Sequence, residues 1–210
     1  MDTAFLIKFF GALFAIMNPF VNLPIFLSLT AGRSPGEMRA TALSVAFFSA
    51  IMCVVVAVAG TQILTFFGVS VDDFRLAGGL VLLLIALGML NGHDSTAHTG
   101  TAKEQEHHAE LDNVAFYPIT FPMIVGPGTI ATLVVFRGQL TTQGQHLAYW
   151  AALAAILAIL GVVLFSASSI GRHMSQTLRV IMTRLMGMIL AAIAAEMIVG
   201  GLKALLPGLA

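Results

Sequence analysis

Charge is scarce in this chain. Ten Lys and Arg stand against ten Asp and Glu in 210 residues, only 10% of the whole, with a formal net charge of zero. Without a basic surplus there is no electrostatic footprint for nucleic acid, and no net field to steer a charged soluble substrate. Cysteine is almost absent as well. The single thiol, Cys53, excludes an intrachain disulfide, and its place in the apolar run 49–59 reads as a small hydrophobe. Polar surface is the third shortage: 58% of residues are hydrophobic and the mean hydropathy is +0.95, outside the balance of soluble domains. No apolar run carries a clustered His, Cys or carboxylate set, so the residues predict no enzyme, no metal and no cofactor.

What the chain has instead is long apolar runs. A helix needs about 20 apolar residues to cross a bilayer, and such runs fall near 4–29, 40–67, 76–90, 114–136, 147–170 and 185–206. Their continuity, rather than an alternation of polarity, selects helices over a barrel. The expectation is an all-α integral membrane protein with six spans and the lipid bilayer as its main partner. The third run is short and needs a thinned bilayer, a snorkelling Arg75 or extension toward Gly92. The first run follows Asp2, has Lys8 as its nearest cation and lacks a cleavage site leading to a polar domain, so it reads as a retained span. One hydrophilic stretch, 91–113, separates residues 1–90 from 114–210. It carries His93, His98, His107, His108, Asp94, Asp112, Glu104, Glu106 and Glu110 and reads as a flexible linker, since these spacings lack the fixed geometry of a metal site. Tyr149 and Trp150 suit an aromatic belt at the lipid interface.

The two flanking parts resemble each other. Asn18-Pro19-Phe20-Val21-Asn22-Leu23-Pro24 and Phe121-Pro122-Met123-Ile124-Val125-Gly126-Pro127 place Pro-x4-Pro twice, 103 residues apart (122 − 19 and 127 − 24). Arg75-Leu76-Ala77-Gly78 and Arg184-Leu185-Met186-Gly187 match 109 residues apart (184 − 75). With three spans on each side of the linker, the second half enters from the opposite face, so the pattern predicts two inverted-topology 3+3 repeats whose first helices, spans one and four, are broken by prolines. Each proline removes an amide donor, which leaves the carbonyls of Ala15, Phe20, Pro118 and Met123 in need of partners. In hydrocarbon such gaps survive only where protein or a water-filled cavity fills them. Asn18 before Pro19 fits a cap with proline at the first helical position, freeing a positive helix end suited to a carboxylate. Gly126 and Gly128 flank Pro127 and expose backbone to close approach. Ordinary proline kinks are the alternative, and the pairing of the two motifs argues against it.

Other residues carry weaker signals. Glu196, inside an apolar run, reads either as a coupling group or as an acid solvated near the interface. Arg75 and Arg184 read as interfacial anchors, and Gly78, Gly88, Gly92 and Gly187 as helix-packing positions.

At Met17-Asn18-Pro19 to Pro24, and at Phe121-Pro122 to Gly126-Pro127-Gly128-Thr129, the sequence resembles the MarC family of bacterial inner-membrane proteins, over essentially its whole length outside the linker. The resemblance implies a multi-pass protein of the cell inner membrane and a relation to transporters of small neutral amino acids. Residues and resemblance together lead to the expectation of a secondary transporter for a small zwitterionic molecule. Its substrate would bind at Asn18, Pro19, Asn22, Pro24, Pro122, Gly126, Pro127 and Gly128, with Thr120 and Thr129 as further contacts and Glu196 for coupling. Two alternatives come from other classes: a non-transporting scaffold or sensor acting through the linker, and a drug or metabolite efflux protein.

Alternating spans put Arg33, Arg39, Lys103, Arg172, Arg179 and Arg184 on one side, and Lys8, Arg75, Arg137 and Lys203 on the other. The first group is expected to be cytoplasmic, which places the linker there and both termini in the periplasm. With Cys53 replaced by Ser, a cysteine at Gln143 should label with an impermeant reagent in intact cells and one at Ser34 should not. Labelling of Ser34→Cys would reverse the assignment.

Overall fold

The computed structural model describes residues 1–30, 32–91, 114–170 and 175–206, and among these the chain is helical with no strand. Helices α1 (Thr3–Met17) and α2 (Pro19–Leu29) build the first span, α3 (Pro35–Phe66) the second and α4 (Val71–Asn91) the third. Beyond the linker, α5 (Ala115–Ile124) and α6 (Pro127–Gly138) form a pair bent by 57°. Helix α7 (Gln143–Phe165), the short α8 (Ala167–Ile170) and α9 (Gln176–Leu205) follow. Five helical segments are long and apolar enough to cross a bilayer, and the bent pair taken as one span brings the number to six. The expected all-α integral membrane fold is the one observed. The stretch 92–113, with its histidines and Gly92, lies outside the described residues.

Helices begin earlier than their apolar runs, because caps and not hydropathy set their starts. Ser34 Oγ accepts from the Glu37 amide (3.3 Å) while the Glu37 carboxylate accepts from the Ser34 amide (2.7 Å), with Pro35 at the first helical position. Ser70 and Asp73 do the same for α4 (3.0 and 3.1 Å), and Thr142 and Gln145 for α7 (both 3.3 Å). The third span therefore starts at Val71, not at 76. At about 1.5 Å per residue its 21 residues reach about 31 Å, enough for a bilayer without thinning.

Contacts at the helix ends sort the bundle into two faces. The Asp2 amide donates to the Gly144 carbonyl (3.2 Å), Gly138 abuts Val71, and Gly201 abuts Leu76 and the Asp72 carbonyl. The N-terminus, the α3–α4 and α6–α7 turns and the C-terminal end of α9 thus share one face. On the other, Arg33, Glu37 and Thr41 line a cavity of about 270 Å³ with Val114 and Ala115, where the chain leaves the linker.

Glycines let the third and last spans touch backbone to backbone. Gly79 meets the Ile198 amide and the Ala194 carbonyl, Gly187 meets Met89 and the Ala86 carbonyl, and Gly78 meets Ala131 of α6. Numbering rises along α4 as it falls along α9, so the two run antiparallel. Both Gly78 and Gly187 pack closely, as expected. Arg75, near the start of α4, packs as well: its guanidinium lies against Gly200, Asp72 stands 4.0 Å away, and its Nε is buried. Tyr149 departs from its expected place. Rather than sitting in a lipid-facing belt it is fully buried, stacked on Phe9 at 4.5 Å, because its hydroxyl finds an internal acceptor in the Leu133 carbonyl (3.1 Å).

A Cβ at Gly79 would stand 3.0 and 3.1 Å from backbone atoms of α9, which cannot retreat as a side-chain tip can. Gly79→Val should cost about 1–3 kcal/mol by overpacking and lower the unfolding temperature in detergent. Gly11→Ala, whose Cβ meets nothing within 4 Å, should leave it unchanged or raise it.

Candidate functional site: two helix breaks in mid-membrane

The first break centres on Asn18. Its backbone (φ 26°, ψ 85°) leaves the helical region, and it is the one non-glycine residue with positive φ among those described. Pro19 forces this: with no amide and a ring that clashes with the preceding turn, it cannot continue α1 but can open α2. Asn18 then caps α2, its Oδ1 accepting from the Val21 amide (3.3 Å). Asn22 Nδ2 donates to the carbonyls of Met17 (2.6 Å) and Asn18 (3.3 Å). The bend is mild, and Thr3–Leu27 passes as a single span.

The second break is larger and starts earlier than the Pro122–Pro127 motif suggests. Tyr117 and Phe121 have extended backbones inside α5, each preceding a proline, the position that disfavours helix. The Tyr117–Pro118 and Phe121–Pro122 bonds are cis. Thr120 Oγ1 donates to the Ala115 carbonyl (2.8 Å) and approaches that of Val45 on α3 (3.4 Å); Thr129 Oγ1 donates to the Ile124 carbonyl (2.7 Å). Gly126 then caps α6 without a side chain to offer, and Pro127 opens it.

A common device recurs at the breaks, although it serves neighbours of the carbonyls of Ala15, Phe20, Pro118 and Met123 rather than those four themselves. Asn22 reaches Met17, Thr120 reaches Ala115 and Thr129 reaches Ile124, each a side chain donating to the carbonyl five residues earlier. Three of the four polar side chains expected at the site are thereby occupied in holding the breaks. The fourth is engaged through one atom only: Asn18 is 2% exposed, its Oδ1 caps α2, and its Nδ2 has no hydrogen-bond partner. A buried donor left unpaired costs about 1–3 kcal/mol.

The two breaks come together at Gly128. A Cβ there would collide with Ile16 of α1, two residues before Asn18, and with Leu82 (2.8 Å) and Ile85 (3.2 Å) of α4. Leu82 is the twelfth of the 21 residues of α4, so this junction lies at mid-depth. Asn22, Thr120 and Thr129 are buried with it, as are Gly126 and Gly128, whereas Pro127 is exposed. Proline opens both α2 and α6, the Val21 and Ile130 amides bond the cap carbonyls of Asn18 and Gly126, and the N-terminal, positive end of each helix dipole lies at its break. Glu196 is elsewhere: it is half-exposed on α9 and paired with Lys8 of α1, a partner no sequence pattern indicated.

These features define a polytopic α-helical membrane protein whose first and fourth spans are each broken, with the breaks packed together through Ile16 and Gly128. The chain belongs to the MarC family, whose model, described as MarC family integral membrane protein, matches residues 3–206. It is 35% identical to a UPF0056 membrane protein of Methanocaldococcus jannaschii, over 97% of this chain and 98% of that one. It is 33% identical to the UPF0056 membrane protein YvbG of Bacillus subtilis (99% and 98% covered) and 30% identical to YhcE of Escherichia coli (96% and 94%). No solved structure matches.

Removing the hydroxyl staples should leave buried carbonyls unpaired. Thr120→Val and Thr129→Val should each lose about 1–3 kcal/mol of stability, read as a lower unfolding temperature in detergent. Ser49→Ala is the contrast: Ser49 is fully buried and its Oγ has no partner, so its removal should be neutral or stabilising.

Proposed function

We propose that the protein is a secondary transporter of a small zwitterionic molecule of the size of a small neutral amino acid, bound where the two broken spans meet. The observation that carries this reading is the unpaired Nδ2 of Asn18, a buried donor at the N-terminal end of α2, with the N-terminal end of α6 packed on Ile16 two residues before it. A substrate carboxylate would satisfy all three at once, whereas a proline kink needs no unpaired donor. Carbonyls released near the breaks would receive the substrate ammonium.

The inverted-repeat reading is supported by the register of α4 and α9. Asp72 faces Gly201, Gly79 faces Ala194 and Ala86 faces Gly187. The Arg-Leu-x-Gly offset makes Leu82 and Ala191 equivalent, and this register sets the two opposite each other, so the axis of an inverted repeat would pass between them. Gly128 packs on Leu82, so the axis passes beside the junction, where alternating access requires a site reachable from either side. A location in the inner membrane with periplasmic termini belongs to the same reading.

Asn18→Ala should weaken substrate binding and lower uptake into liposomes at matched protein level, with the span still inserted. As a cap alone the side chain contributes about 0.5–2 kcal/mol. Pro127→Ala should act from the other half by letting α5 run into α6. Unaltered affinity in both variants would remove the junction as the site.

A further inference from the structure

Thr41, Ser44, Thr65 and Thr132 each donate to the carbonyl four residues earlier, the usual resting place for a hydroxyl proton inside a helix. Ser49 of α3 does not. It is fully buried, its Oγ has no partner, and the carbonyl four residues before it, that of Val45, is approached instead by Thr120 Oγ1 of α5 (3.4 Å). A position wanted only for close packing could be alanine, as Ala42 and Ala57 are on the same buried stripe of α3. A hydroxyl buried there without a partner is a net cost to the fold.

The neighbours of Ser49 along that stripe show what it faces. Toward the linker, Val45 meets Thr120 of α5; toward the other face, Gly60 abuts Val134 of α6. Helices α3 and α6 both run toward the face that bears the N-terminus, so counting back equally from the Gly60–Val134 contact (60 − 53 and 134 − 127) brings Pro127 level with Cys53. Ser49 thus lies midway between the levels of Thr120 and Pro127, opposite the segment 121–126 where the fourth span is broken. It is the fifteenth of the 32 residues of α3, at the mid-depth where Gly128 meets Leu82. The second break has no polar side chain in the place of Asn18. The 103-residue offset carries Asn18 onto Phe121 and Asn22 onto Val125, both apolar, and the Thr120 and Thr129 protons are committed to the Ala115 and Ile124 carbonyls. The uncommitted side chain at this level is therefore on α3. Its stripe begins at Thr41, which lines the 270 Å³ cavity of the linker face about two turns away.

We propose that Ser49 is a substrate contact on the second span: its Oγ accepts a hydrogen bond from the ammonium of the zwitterion whose carboxylate Asn18 Nδ2 receives. The contact rests on the zwitterion-binding reading of the junction. An ammonium brings three donors and no acceptor, so it needs a cluster of oxygens around it. Ser49 Oγ offers its lone pairs beside a span in which Pro118, Pro122 and Pro127 withdraw amides from the carbonyls. The solute then lies with its carboxylate toward the first break and its ammonium toward the second. Selection follows from that orientation, because a carboxylic acid of the same skeleton without an amine keeps the Asn18 contact and loses the one at Ser49. The fold gains nothing from the hydroxyl, so its removal separates binding from stability.

The test is equilibrium titration of the purified full chain with L-alanine and with propionate, which keeps the carboxylate and the carbon skeleton and lacks the ammonium. Ser49→Ala should weaken L-alanine at least about tenfold, the loss of one hydrogen bond to a charged group, and change propionate less than about twofold. Asn18→Ala should weaken both ligands. The unfolding temperature of Ser49→Ala without ligand should stay or rise, whereas a serine with a purely structural role would lose stability and both ligands together. If propionate binds too weakly to titrate, the unfolding temperature decides: weaker L-alanine binding at unchanged or higher stability supports the contact, and weaker binding at lower stability overturns it. Parent affinity for L-alanine in Ser49→Ala, or an equal loss of both ligands, would also overturn the contact and leave the junction standing as a zwitterion site. Failure of the parent protein to bind L-alanine would sink the zwitterion reading, and the contact with it.

Discussion

Every backbone donor and acceptor in the hydrocarbon layer needs a partner, and the structure is organised around the places where proline withdraws one. Pro19, Pro122 and Pro127 each delete an amide where a helix would otherwise run through. In water the freed carbonyls would be hydrated at little cost; in a bilayer they must be filled from within. Asn22, Thr120 and Thr129 serve carbonyls beside these positions, those of Met17, Ala115 and Ile124, with side chains reaching back five residues. Such a staple closes the backbone locally and leaves the chain free to change direction, so a break becomes a stable element. Among the polar side chains within the breaks, Asn18 alone keeps a buried donor, its Nδ2, without a partner, and the proposed site rests on that surplus.

The breaks would be of little use if they lay apart. They meet through Gly128 of α6, which lies against Ile16 of α1 and against Leu82 and Ile85 at the midpoint of α4, and α4 in turn lies on α9 through Gly79. Small residues are what allow this, because lipid offers no hydrophobic drive for helices to associate and close contact must supply the stability. Gly128 has the same role at the site: any side chain there would push α6 away from Ile16 and separate the breaks. Packing and function therefore share residues. Substitutions at Gly128 would confound the two, whereas Asn18 distinguishes them.

Most of the frame was legible in the sequence because hydropathy and proline act locally. Six spans, two breaks and their pairing all follow from runs and spacings. The helix starts were misplaced by several residues, since an apolar count cannot see the polar caps at Ser34, Ser70 and Thr142, although the Ser-x-x-Glu and Ser-x-x-Asp spacings were present. The second break was placed too late, because only the repeated Pro-x4-Pro was weighed and Pro118, four residues upstream, was not. Tyr149 was read from its position near a span end, and its burial depends on Phe9 and the Leu133 carbonyl, which are distant in sequence. The pairing of Lys8 with Glu196 was illegible for the same reason: 188 residues separate them. At the breaks the sequence shows which polar residues are present but not how they are used, since a threonine that staples and a threonine that binds have the same spelling.

The central claim is that a buried amide donor at Asn18, at the N-terminal end of α2, waits for a carboxylate. Its most direct test is an equilibrium titration of the purified protein with a small zwitterionic amino acid and with the corresponding carboxamide, which keeps the ammonium and the size but loses the negative charge. The account predicts saturable binding of the amino acid and at least about tenfold weaker binding of the carboxamide, about 1.4 kcal/mol. Equal affinity for the two, or binding of neither, would contradict it.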